Sequence, residues 1–257
     1  MEDFTKLIDK MAGYKHEESM QKVSPEEFDK IIQNRRSVRF YTEEKIPAEV
    51  VERVLDWGLL APNSSNLQPW EFYWVKDPKK KAQLVEALLS QPAARTAQEL
   101  IVAVAKRKSW KKLSAQMLEV LNENPDVPKA AKDYYGKIVP LAYTMGPFGI
   151  IGLIKKISVT ILGFTRPIPR EPASVADMRV WAVKSTALAC ENIMLGFSAF
   201  GYDSCPMEGY DSARVKKAIG LSCDDEVVMV ISAGKRDKKG VYGPRIRMPR
   251  EQFIKII

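Results

Sequence analysis

The chain has 257 residues, 46% of them hydrophobic and 28% charged, the balance of a globular protein with a sizeable core rather than a disordered or fibrous one. Forty basic against 32 acidic residues leave a net charge of +8, which favours anionic partners but is silent on fold. Three dispersed cysteines, Cys190, Cys205 and Cys223, disfavour a disulfide framework or a zinc site, and a single histidine, His16, removes Ser-His-Asp triads, histidine metal sites and Cys-His pairs. If the protein is an enzyme, a bound cofactor is the natural carrier of its chemistry.

Residues 1–23 read as a polar, partly helical extension without the basic start and apolar centre of a signal peptide. Ser24-Pro25-Glu26-Glu27 is a capping box with proline at the first helical position. Phe28, Ile31 and Ile32 then form the apolar face of that helix. After Pro47, Val50, Val51, Val54, Leu55 and Leu59 recur at helical spacing until the loop chemistry of Ala61-Pro62-Asn63-Ser64-Ser65-Asn66. Glu71–Val75 reads as a strand stopped by Asp77-Pro78, Lys79–Leu89 as a helix, and the continuous apolar run Leu100–Ala105 as a buried strand.

Residues 106–178 are broken by prolines at 125, 128, 140, 147, 167, 169 and 172. Trp110–Asn122 reads as a helix, and the rest as an insertion over a site or a peripheral subdomain. Gly146–Phe164 is its most apolar part, yet Lys155 and Lys156 lie at its centre. That argues against a membrane span and leaves a lid or an interfacial helix. Val183–Phe200 is a helix apolar nearly all round, as at the centre of a core or a subunit interface. Asp211–Ile219 is a short helix closed by Gly220, and Glu226–Ser232 is a valine-rich strand. The chain reads as one domain over 1–257, of the α/β or α+β class.

Four clusters can carry chemistry. In Arg35-Arg36-Ser37-Val38-Arg39, guanidinium forks match phosphate oxygens, although cations also favour a helix C-terminus. Ala61-Pro62-Asn63-Ser64-Ser65-Asn66-Leu67-Gln68-Pro69-Trp70 crowds amides and hydroxyls that bond hydroxyls and ring edges, or is a polar turn. Cys205-Pro206-Met207-Glu208-Gly209-Tyr210 lets a backbone approach a planar ligand at Gly209, or is a plain loop. Gly234-Lys235-Arg236 follows a strand, with Arg245 and Arg247 beyond, where α/β folds hold anions; a basic tail is the alternative.

Together, in this order and spacing, the four clusters closely resemble the nitroreductase family, over about residues 24–105 and 179–250. The resemblance implies an α+β fold, an α/β sandwich whose central, mainly antiparallel sheet is flanked by helices, with 106–178 as an inserted lid. It implies FMN as cofactor, NAD(P)H as electron donor, and a homodimer with flavin at the interface. Hydride would pass by a ping-pong route to nitro compounds, quinones or similar small acceptors. Reductive dehalogenation or oxygen-dependent flavin chemistry on the same fold is the alternative. No protein side chain is catalytic in this reading; the backbone of Glu208 and Gly209 orients flavin N5.

Residue by residue, Arg35, Ser37 and Arg39 are similar to the family's ligands of the FMN phosphate, ribityl chain and pyrimidine edge, with Arg36 close by its backbone. Ser64, Ser65 and Asn66 resemble the loop from the partner subunit. Pro206, Met207, Glu208 and Gly209 form the flavin turn. Gly234, Lys235 or Arg236, with Arg245 or Arg247, would finish the phosphate clamp. Gln91 and Arg95 are approximate counterparts of an amide and a basic residue that often precede the second strand. Arg179, Trp181 and Lys184 line either the acceptor pocket or the core. Cys205 reads as a small buried hydrophobe rather than a redox group. No metal and no nucleic acid are expected, a cytoplasmic location is, and membrane contact through 146–164 is a minor reading.

Overall fold

The computed structural model describes residues 18–257; His16 and most of the expected N-terminal extension lie outside the described residues. Helix α1 (Pro25–Asn34) starts as its capping residues dictate, with the Glu27 N–H donating to Ser24 Oγ at 3.3 Å. The return arm of the box differs: Ser24 Oγ donates to Glu26 Oε2 at 2.7 Å. Helix α2 (Ala48–Leu59) leads through a 3₁₀ turn (Ser64–Asn66) into β1 (Trp70–Trp74). Asp77 caps α3 (Pro78–Ala87), and the short α4 (Pro92–Arg95) precedes β2 (Glu99–Ala105). The insertion holds α5 (Trp110–Glu123), α6 (Lys129–Asp133), a π-helical turn (Tyr134–Ile138), α7 (Val139–Tyr143) and α8 (Ile150–Leu162). Then come α9 (Val175–Ala199), β3 (Asp203–Met207), α10 (Ser212–Ile219) and β4 (Glu226–Gly234).

The four strands form one antiparallel sheet in the order β1-β2-β4-β3. Side chains alternate across a strand, so Leu100, Val102, Val104 and Val230 meet α3 and α10 on one face. Ile101, Ala103 and Ile231 meet Val51 and Val54 of α2 and Ile193 and Phe197 of α9 on the other. The result is the expected α+β sandwich, and burial of β2 on both faces explains its unbroken apolar run. Helices α2 and α9 pack through glycines: a Cβ on Gly58 would stand 2.7 Å from Ile193, and one on Gly196 2.7 Å from Val54.

Two elements differ from the sequence reading. Helix α9 begins at Val175, eight residues before the expected Val183. Ser174 Oγ accepts from the Asp177 N–H at 3.0 Å, and Asp177 Oδ2 accepts from the Ala173 N–H at 2.8 Å. This cap pair outweighs the nearby Pro172. Secondly, Cys205, Pro206 and Met207 belong to strand β3, where a loop or turn was expected. Proline is tolerated there because β3 is the outermost strand of the sheet, paired along its length with β4 and met on its other side by an isolated bridge at Ser204.

The insertion is a folded layer rather than an irregular one. Trp110, Val139, Tyr143 and Met145 pack with Met178, Trp181 and Ala182 of α9 and with Ala105 at the end of β2. Among the described residues, no single helix is long and apolar enough to cross a membrane.

Candidate active site

The first arginine cluster is held beside the sheet edge. After α1 the backbone extends, Ser37 bridges Ser204 of β3, and the Val38 N–H donates to Ser204 O at 3.1 Å. Val38 is fully buried. The alternation of extended backbone therefore turns Ser37 and Arg39 to the opposite side. There the chain from Val241 to Arg247 closes a cavity of about 360 Å³ with Arg35, Arg36, Ser37 and Arg39. Arg245 Nη2 donates to Gln33 O at 2.8 Å and to Arg35 O at 2.7 Å, and Arg36 Nη2 to Gly243 O at 2.6 Å.

These bonds go to neutral carbonyls, so the charge is left largely uncompensated. Around five guanidinium groups, the carboxylate recorded against the cluster among the described residues is Glu191, 3.9 Å from Arg35 Nε. Desolvation, followed by repulsion from Arg247, Arg36 and Arg35, pulls the Arg245 guanidinium below its ordinary value. A multivalent anion is the natural complement of such a site.

A second cavity, also about 360 Å³, is bounded by Arg39, Gln91, Cys205, Met207, Glu208 and Tyr242. Arg39 and Tyr242 border both cavities, with the Arg39 guanidinium carbon 4.9 Å from the Tyr242 ring centre. Gln91 Nε2 donates to Gly209 O at 2.7 Å and ties down the turn after β3. A Cβ on Gly209 would meet only Gln91 Nε2, at an ordinary 3.6 Å, so internal packing does not require glycine there. Burial raises the Cys205 thiol above its ordinary value, in keeping with a small hydrophobe.

Other candidates sit elsewhere. Arg236 is locked to Asp203 at 2.5 Å and to Asn34 O at 3.2 Å, and Lys235 Nζ donates to Gly201 O at 3.1 Å. Gly234 lies under Tyr41, whose ring a Cβ would meet at 2.8 Å. None of the three lines either cavity, and neither does Arg95. Arg179 pairs with Glu226 at 2.6 Å, and Trp181 is buried against the insertion.

Ser64, Ser65 and Asn66 precede β1, at the sheet edge opposite β3 and at the end marked by Ala105 and Glu226. Ser37 lies beside Ser204, opposite Ala233 at the other end. Three strand spacings and a strand length separate these corners by on the order of 20 Å. Ser65, Asn66 and Gln68 have φ of 58°, 47° and 41°, a run of left-handed non-glycine residues that is strained and typical of functional loops. The insertion holds this loop: Ser65 Oγ lies 2.8 Å from Tyr134 OH, Ser64 Oγ 3.1 Å from Tyr143 OH, and Tyr135 OH donates to Ser65 O at 3.1 Å. These tyrosines and Tyr242 were not among the sequence candidates. Tyr242 stands between glycines in a basic segment, a signal that was legible.

Among the described residues, no group of three or more His, Cys, Asp or Glu is placed to hold a metal ion. Comparison with known proteins fits this geometry. The Bacillus subtilis protein YdgI, named provisionally as an NAD(P)H nitroreductase, is 28% identical over 227 residues, 87% of this chain and 95% of its own length. The fold matches that of Bacillus subtilis ydfN, named provisionally as a nitroreductase, with a TM-score of 0.71 and 22% identity, over 91% of this chain and all of the other. It also matches, with a TM-score of 0.67 and 25% identity over 93% of this chain and all of the other, an Exiguobacterium sibiricum protein provisionally named a nitroreductase, in complex with FMN. The model of the nitroreductase family matches residues 32–135 and 158–235, more than half of the sequence, and the chain belongs to that family.

Proposed function

We propose that the protein is an FMN-dependent oxidoreductase that takes hydride from NAD(P)H and reduces small electrophilic acceptors such as nitro compounds or quinones. The observation that carries this reading is the arginine-lined cavity with its near-absence of carboxylates, joined through Arg39 and Tyr242 to a second cavity bounded by Glu208, the chain neighbour of Gly209. A phosphate dianion matches the first; a planar ring system approaching Gly209 suits the second.

Arg35, Ser37, Arg245 and Arg247 would hold the phosphate, with Arg36 contributing through its backbone. Arg39, at the junction of the two cavities, would face the pyrimidine edge and stabilise negative charge there. Pro206 and Met207 would border the ring, and the backbone at Glu208 and Gly209 would donate to its reacting edge. Bound there, FMN would supply hydride chemistry between the nicotinamide and the acceptor, for which ping-pong kinetics are expected. Lys235 and Arg236 are placed to brace the sheet end, with Arg236 holding Asp203.

Ser64, Ser65 and Asn66 lie too far from these arginines to serve the same flavin within one chain. A homodimer in which each loop completes the partner's site resolves this distance. The tyrosine-braced insertion then lies over the partner's flavin and selects the acceptor. Three free cysteines suit a reducing, cytoplasmic setting.

The test is the double variant Arg35→Ala/Arg39→Ala. It should elute colourless after dialysis while keeping the wild-type far-ultraviolet dichroism; full retention of flavin contradicts the assignment. Gel filtration should give a dimer, and a flavin-bearing monomer contradicts the shared site.

A further inference from the structure

Helix α8 is amphipathic in the reverse sense for a protein surface. Ile150, Leu153, Ile154, Ile157 and Ile161 share one face at i, i+3, i+4, i+7 and i+11, and all five point to solvent, 55–62% exposed. The inward side carries Gly152, against Ala173 O, and Lys155, whose Nζ donates to Leu141 O at 3.1 Å and Ala142 O at 2.8 Å. The lysine thus caps the open carbonyls at the end of α7, and desolvation lowers its pKa.

The polar residues of α8 mute themselves. Ser158 Oγ donates to Ile154 O at 2.9 Å and Thr160 Oγ1 to Lys156 O at 2.7 Å, each four residues back. The turn before α8 projects a further apolar group. Phe148, at φ 52° between Gly146 and Gly149 at φ 71° and 78°, is fully exposed. A non-glycine residue in that region is strained, and here the strain presents a phenyl ring to water. Phe164 at the far end is 83% exposed. Together these exposed side chains form an apolar surface of the kind that marks an interaction site.

Charge identifies what covers it. From Tyr134 to Arg170 the sequence contains no Asp or Glu, while Lys156, Arg166 and Arg170 are exposed on and just after α8, Lys156 close enough to Asp177 to help lower its carboxyl. A second copy seated here would set the same cations against one another. An anionic phospholipid surface accepts both the isoleucines and the cations. Thirteen residues of helix span about 20 Å, too short to cross a hydrocarbon core of about 30 Å. The preceding helices α6 and α7 are no extension of it, because Val139 and Tyr143 are buried in the insertion core.

We propose that α8, with Phe148 and Phe164, docks the protein flat on an anionic lipid bilayer surface. This stands on α8 alone and is independent of the flavin assignment.

The test is co-sedimentation of the full-length protein with vesicles of phosphatidylcholine alone or mixed with phosphatidylglycerol, at low and high salt. Binding should be about a hundredfold stronger to the mixed vesicles at low salt, from these three cations, and should weaken as salt rises. Ile154→Asn/Ile157→Asn should bind at least about tenfold more weakly, and Lys156→Glu/Arg166→Glu/Arg170→Glu should lose the preference for phosphatidylglycerol. Both variants change exposed side chains, and an unchanged melting temperature confirms that they fold. Failure of the wild type to bind mixed vesicles, or equal binding by the isoleucine variant, overturns the proposal. So does a wild-type dimer that the isoleucine variant splits without any vesicle binding, which would make α8 an interface between copies.

Discussion

Arg245 and Arg236 are both C-terminal arginines of the sequence cluster, yet the structure gives them opposite surroundings. Arg245 faces the arginine cavity, its charge opposed by three neighbouring guanidiniums. Arg236 is neutralised by Asp203, which is only 13% exposed, and lines neither cavity. A charge-assisted bond to a phosphate contributes about 1.5–3 kcal/mol. Arg245→Ala should therefore raise the FMN dissociation constant by roughly 10- to 150-fold, from the same range. Arg245→Lys should recover part of the loss, because it keeps the charge but not the fork. Arg236→Ala should leave FMN affinity within about threefold and lower stability by about 1 kcal/mol, the part-exposed pair being screened by solvent. Titration of apoprotein with FMN, followed by flavin fluorescence, gives the first numbers, and urea unfolding gives the last. An unchanged dissociation constant in Arg245→Ala, or a tenfold loss in Arg236→Ala, refutes the division of roles.

Further outcomes follow from single contacts. Gly209→Ala should fold with an unchanged melting temperature, since a Cβ there meets only Gln91 at 3.6 Å, and should weaken FMN binding; a destabilised variant that binds FMN normally contradicts this. Phe197→Ala, at a fully buried core position, should cost about 3–5 kcal/mol, measurable by urea unfolding. Ellman's reagent should titrate Cys223 at once and leave the buried Cys190 and Cys205 unreacted until denaturant is added; rapid reaction of Cys205 contradicts its packing. Burial pushes the Tyr210 phenol up to about 12, while its hydroxyl donates to Val227 O at 2.7 Å. A raised folded pKa keeps the neutral phenol's contribution whole below 10 and removes it as pH climbs towards 12. The stability of Tyr210→Phe should accordingly fall less than that of the wild type over that range.

Local signals located most of the fold. The Ser24-Pro25 capping box placed the start of α1 and Gly220 the end of α10, and the unbroken apolar run of β2 announced a strand buried on both faces. Pro206 hid β3, because a proline is admissible only at a sheet edge, and sequence does not say which strand is the edge. The start of α9 is hidden because its cap pair, Ser174 and Asp177, follows a proline-broken stretch that masks the helical signal. At the site, the first arginine cluster was legible from its density of guanidinium groups. The separation of Arg245 from Arg236 was not, since it depends on Asp203 lying across the sheet end. The bracing of Ser65 by Tyr134 and Tyr135, about seventy residues later in the chain, is a tertiary fact that no spacing rule carries.

The proposed function requires that the arginine cavity and the Gly209 turn hold a flavin that nicotinamide reduces. The most direct test is the absorption spectrum of the purified protein, reconstituted with FMN where necessary, before and after anaerobic addition of NADH and then NADPH. Flavin bands should bleach with at least one nucleotide and return when an acceptor is added. Absence of bound flavin after reconstitution contradicts the assignment of the cavities, and bound flavin that neither nucleotide bleaches contradicts the assigned electron donor.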